Sequence, residues 1–153
     1  MNMPRLAPIV VALLLYASVL AGQKNAQKDP DTLKSEAEKA SGGQQGRLYA
    51  ELADRLVDVA DQQFSQGNSV QGHATVQEVL QDATKAHDVA LRTQDKRKEV
   101  EIHLRQTQRH LEAVKRTLAA EDRPALDEVE KKLAELRQEL LDSMFAPKKK
   151  DNK

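Results

Sequence analysis

Apolar residues recur at three- and four-residue intervals along most of this chain, the pattern of helices that bury one face. From about Arg47 to Gln66 the repeat runs Leu48, Tyr49, Leu52, Ala53, Leu56, Val59, Ala60 and Phe64, with Asp54, Asp58 and Asp61 on the solvated side. Gly67 fits a C-terminal cap, and Asn68-Ser69 offers a polar start for a second helix carrying Val76, Val79, Leu80, Ala83, Ala86 and Ala90. A loop that short makes an antiparallel helical hairpin.

From His73 to Arg123 there is neither glycine nor proline. Val100, Leu104, Thr107, Leu111, Val114 and Leu118 alternate at spacings of four and three, a coiled-coil seam. The same frame counts back through Arg97 and Thr93 to Ala90, Ala86, Ala83 and Val79. Two readings follow. A continuous helix would be a rod of about 75 Å at 1.5 Å per residue. A turn near Thr93-Gln94-Asp95-Lys96 would fold Val100–Leu118 back on Val76–Ala90. Two successive polar seam residues forfeit a full turn of burial, which favours the turn.

Asp122-Arg123-Pro124 opens a last helix, a polar cap followed by proline in the first turn. Its seam is Leu126, Val129, Leu133, Leu136 and Leu140, with Met144 and Phe145 at the end. Charge supports pairing of the last two helices. Arg92–Leu118 holds eight cations and four acids, whereas Glu121–Asp142 holds four cations and eight acids. Exposed ion pairs of this kind select partner and register more than they stabilise.

The N-terminal end has another character. One cation, Arg5, precedes an apolar run from Leu6 to Leu20 that closes on small residues. This predicts an export signal over 1–21, with Val19 and Ala21 at the positions a signal peptidase reads and Gly22 as the new terminus. The run is shorter than the roughly 20 residues of a spanning helix and contains Pro8, so cleavage is favoured over an anchor. Gln23 stands where a lipoprotein box needs cysteine, and the chain has no cysteine at all. Residues 22–46 read as a flexible polar leader. A short helix is expected over Asp31–Ala40, capped by Asp31 or Thr32, with Leu33 and Ala37 on one face. Ser41-Gly42-Gly43-Gln44-Gln45-Gly46 is expected to break it. Residues 47–145 form the helical domain, and 146–153 a basic tail. The fold class is therefore all-α: a three- or four-helix antiparallel bundle of hairpins with coiled-coil-like seams, after a signal peptide.

Composition narrows the function. Lys and Arg total 24, as do Asp and Glu, and cleavage would remove one cation and no acid. So balanced a chain has no global field for nucleic acid or anionic membrane. His103 and His110 lie seven residues apart, about 10 Å along a helix and too far to share a metal. Glu99 before His103 reads as a surface pair. Gly42-Gly43-x-x-Gly46 lacks the strand and lysine of a phosphate loop, and no serine has a supporting histidine. No cofactor is implied, and enzyme is the least supported class. The candidate basic surface is Lys96, Arg97, Lys98, Arg105 and Arg109, with Lys115 and Arg116 further along. Interleaved Glu99, Glu101 and Glu112, and the absence of aromatics for stacking, point to an internal electrostatic match rather than nucleic acid.

Ala60, Phe64, Gly67, Gly72, Val76, Val79 and Leu80 resemble one tetratricopeptide-type hairpin, with small residues at the helix crossing. The hallmark tryptophan, the Leu-Gly pair and the closing proline are missing, and one unit is fewer than a solenoid needs. A layout of Ala37-Glu38-Lys39-Ala40, Arg47-Leu48-Tyr49-x-Glu51-Leu52-Ala53, Lys115-Arg116-Thr117-Leu118, Glu121-Asp122-Arg123-Pro124 and Met144-Phe145 is similar to small exported bacterial helical proteins of unassigned function. That resemblance implies a helical fold and transfers no functional residue. The expectation is a non-catalytic envelope protein acting through protein contacts, with homo-oligomerisation through the helix seams as one form. A periplasmic chaperone or stress adaptor is the alternative, and a lipid- or peptidoglycan-associated binder the third. No membrane span is expected after cleavage.

Overall fold

The computed structural model describes residues 28–146. The cleavage site at Val19, Ala21 and Gly22, the start of the leader and most of the basic tail lie outside the described residues. Five helices follow in order: α1 Pro30–Lys39, α2 Gly42–Ser65, α3 Ser69–Thr93, α4 Arg97–Thr117 and α5 Arg123–Phe145. Among the described residues the chain is all-α.

α1 is the short helix expected near Asp31–Ala40, but its cap is Asp29. The Asp29 carboxylate accepts from Thr32 N–H (2.9 Å) and the Thr32 hydroxyl (2.6 Å), with Pro30 in the first turn. Those bonds hold the Asp29 carboxyl below its ordinary range. α1 packs on α2 and buries Leu33 and Ala37 completely. Residues 30–46 are thus part of the packed domain, which corrects the expected boundary at residue 47. The glycine segment corrects it further, because α2 starts at Gly42 and Gly43 and Gly46 are buried helical residues. A Cβ on Gly46 would stand 3.1 Å from the Ala86 carbonyl oxygen. On Gly43 it would collide with the Asp95 carboxylate and come within 2.7 Å of Lys96 Cγ. Each helical glycine costs up to about 1 kcal/mol of propensity, and close packing outweighs that here.

α2 and α3 form the expected antiparallel hairpin. Gly67 has φ +77°, Asn68 N–H donates to Gln63 O and Gly67 N–H to Phe64 O, which completes a Schellman end to α2. The face between the two helices is lined with small side chains, Ala53, Ala60, Ala83, Ala86 and Ala90, all fully buried.

The chain does turn after Thr93. Gln94 and Lys96 both take φ 57°, Thr93 Oγ1 donates back to Val89 O, and Gln94 Nε2 satisfies the Leu91 carbonyl in the last turn of α3. The return path differs from the expectation. α4 packs mainly on α2 and α5, and consecutive α3 and α4 stand diagonally with only a small contact. Two left-handed residues in three send the chain across the bundle instead of back beside α3. The ring order is α2, α3, α5, α4. Within each hairpin the helices run antiparallel. Across the hairpins α2 and α4 run parallel, as do α3 and α5, since His73 meets Asp122 and His87 meets Glu139.

The predicted seams fill the centre. Val100, Leu104, Thr107, Leu111, Leu126, Val129, Leu133 and Leu140 are fully buried, and the Thr107 hydroxyl donates to His103 O. One chain covers both seams, so they need no second copy. Charge joins α4 to α5 as expected: Lys115 Nζ lies 2.7 Å from Asp127 and 2.6 Å from Glu130, and those carboxylates push its pKa up. One pair runs against the helix-level charges. Arg137 of acidic α5 binds buried Glu101 of basic α4 at 3.1 and 2.9 Å.

Candidate functional site

The five residues of the expected basic surface do not form one patch. Lys96 bonds Glu99 at 2.8 Å, which raises the lysine pKa and lowers that of the glutamate. Arg97 donates to Ser143 O at 2.7 Å and so closes the C-terminal end of α5. Lys98 is exposed, and Arg105 comes no nearer than 4.0 Å to Glu101, whose other oxygen Arg137 holds. Arg109 is exposed one turn further along α4.

Lys98 and Arg105 instead flank an apolar groove of about 460 Å³ on the outer face of α4 and α5. Its apolar lining is Ile102, Leu141, Met144 and Phe145. Phe145 is 79% exposed. Helix periodicity explains the groove. Ile102 follows the seam residue Val100 by two, and Leu141 follows Leu140 by one, so both point off the core-facing stripe. α1 lies along α2 on the other hairpin; among the described residues no helix covers this face. The basic flank was legible in the sequence. The apolar floor was not picked out, although two apolar residues outside the four-three frame were the available signal.

A second cluster joins residues far apart in sequence. Asp122 Oδ1 lies 2.7 Å from His73 Nε2, and Asp122 Oδ2 accepts from the Ser69 hydroxyl at 3.2 Å. Ser69 is the first residue of α3, so this carboxylate sits at the positive end of that helix. Asp122 makes no side-chain cap for α5, the role the sequence suggested. The types are those of a hydrolase triad but the order is not. The carboxylate stands between hydroxyl and imidazole, and no base touches the serine. The cluster ties α3 to the α4–α5 turn.

His110 lies with Nδ1 3.5 Å from Asp54 and Nε2 3.3 Å from Asp58. Among the described residues no group of three or more side chains has metal-binding geometry, and no helix is long and apolar enough to cross a membrane. The large exposed apolar side chains, Val70 and Phe145, stand at opposite ends of the bundle. Comparison with known proteins finds no matching family model, curated protein or solved structure.

Proposed function

We propose that this is an exported, non-catalytic protein of the cell envelope that works by binding another protein. The α4–α5 groove receives an acidic amphipathic helix of that partner. The carrying observation is the groove itself, an apolar floor that no described helix covers, flanked by Lys98 and Arg105, with Glu101 in its wall already held by Arg137. Charge complementarity selects an acidic occupant. The sequence beyond Ala146 carries Lys148, Lys149, Lys150 and Lys153. A concave floor suits the ridge of a helix better than a flat bilayer. The separated positions of Val70 and Phe145 give a chaperone no broad apolar face.

A peptide with leucine every three to four residues and glutamate on its flanks is a direct probe, read by fluorescence anisotropy. Binding should weaken about 30-fold with Met144→Asp or Ile102→Asp, the scale of a central anchor residue. Vesicles rich in phosphatidylglycerol form the second arm. Vesicle binding without peptide binding would overturn the protein-contact reading in favour of a lipid surface.

A further inference from the structure

The two hairpins meet through charge contacts of a single kind. Within a helix or hairpin the described ion pairs, His87–Asp88 apart, use lysine and arginine: Arg47–Glu51, Lys85–Asp82, Lys115–Glu130, Arg137–Glu101. Between the α2–α3 hairpin and the α4–α5 hairpin every described pair uses histidine. His73 meets Asp122, His87 meets Glu139, and His110 meets Asp54 and Asp58. The three sites spread along both cross-hairpin contacts, α3 with α5 and α2 with α4.

We propose that these histidines clasp the two hairpins together, so that acidification tightens their docking and a rise through neutral pH loosens it. An imidazole attracts a carboxylate as an ion only when protonated, whereas lysine and arginine stay charged throughout this range. The inner packing of each hairpin is therefore insensitive to pH near neutrality, and the junction between them is not.

Each imidazole faces carboxylates from the opposite hairpin. His110 faces Asp54, Asp58 and Asp61 of α2; Arg55 bonds the other oxygen of Asp58, and Arg109 precedes the histidine on α4. His73 has Asp122 on one side and the edge of the Phe64 ring, 5.4 Å away, on the other. His87 is 5% exposed. Its Nδ1 lies 3.0 Å from Asp88, and its Nε2 lies 3.0 Å from Glu139 but out of line for a hydrogen bond.

The bond to Asp54 raises the pKa of His110 against the effect of burial, with Asp58 and Asp61 adding to it. A histidine whose folded pKa is raised contributes fully below about 6.5 and loses that contribution as pH climbs through the raised value.

Hydrogen exchange of the full chain at about pH 5.5 and pH 8, corrected for intrinsic rates, reads the junction directly. The faces of α4 and α5 that meet the other hairpin should open measurably more often at the higher pH. The face shared by α2 and α3 should change far less. Cysteine labels at exposed Gln62 on α2 and Ala113 on α4 should show a broader distance distribution at pH 8. His110→Gln, at a half-buried site, and Asp54→Asn with Asp58→Asn should each blunt the response. An unchanged response in these variants, or equal loosening of all five helices, would overturn the clasp.

Discussion

Glycine against alanine at position 94 tests the turn that organises the bundle. Gln94 has φ 57° and its Nε2 donates to Leu91 O at 2.7 Å, an exposed bond. Both Gln94→Gly and Gln94→Ala remove that bond, so their difference isolates the backbone. The left-handed conformation costs a residue with a Cβ about 1–2 kcal/mol. Glycine escapes that cost but gives about 0.4–1 kcal/mol back through the freedom of its unfolded chain. The glycine variant should therefore be the more stable by about 0.5–1 kcal/mol. In a continuous helix the order reverses, because alanine exceeds glycine there by about 1 kcal/mol.

Sign alone decides. Urea unfolding should place the midpoint of Gln94→Gly above that of Gln94→Ala by about 0.5 M at an m-value near 1.5 kcal/mol/M. Lys96→Gly against Lys96→Ala should move the same way, since Lys96 shares the φ of 57°. If alanine is the more stable at both positions, residues 93–97 are helical, α3 and α4 are one continuous helix, and the α4–α5 hairpin does not fold back onto α2–α3. Proline is a poorer probe at Gln94. Its ring fixes φ near −65°, so it would harm the turn as well as a helix.

Gly72→Ala should lower the melting temperature, with a loss of about 1–3 kcal/mol from overpacking, because the added Cβ would lie 2.7 Å from the Phe64 ring. A melt at or above the parent's would mean that the ring yields and the improved helix propensity wins. Intact-mass measurement of the protein recovered from its native host should give a chain starting at Gly22 without acyl groups. A mass that retains residues 1–21 would remove the export reading.

What was legible in the sequence is what depends on neighbours along one helix. Val100, Leu104, Thr107 and Leu111 announce a seam by spacing alone, and Thr93 and Arg97 announce its interruption by their polarity. Gly43 and Gly46 carry no such signal. Their helical state depends on Asp95, Ala86 and Val89, which approach from elsewhere in the fold, while propensity alone argues for a break. The diagonal crossing from α3 to α4 is hidden for a similar reason. It follows from the sign of φ at two residues that are not glycine, which no composition rule flags. Asp122 was read as a cap from its place before Pro124, yet its partners Ser69 and His73 lie 53 and 49 residues away. Of the site, the cations stood out because charge marks them. Ile102 and Leu141 did not, because a seam read as the best-fitting repeat discards apolar residues that fall outside it.

The groove and the histidine junction are separable by construction. Every residue lining the groove comes from α4 or α5. Those two helices are held to each other by Arg97 on the Ser143 carbonyl, Arg137 on Glu101 and Lys115 on Glu130. None of these contacts needs a histidine, so the α4–α5 face keeps its shape while the hairpins loosen. Burial of Leu104, Leu111 and Leu133 in the common core limits how far that loosening can go, since full separation would expose side chains worth about 1.5–3 kcal/mol each. Four histidine–carboxylate contacts cannot supply that much. The pH response must therefore be a change in how often the junction opens, with the bundle remaining the resting state at both ends of the range.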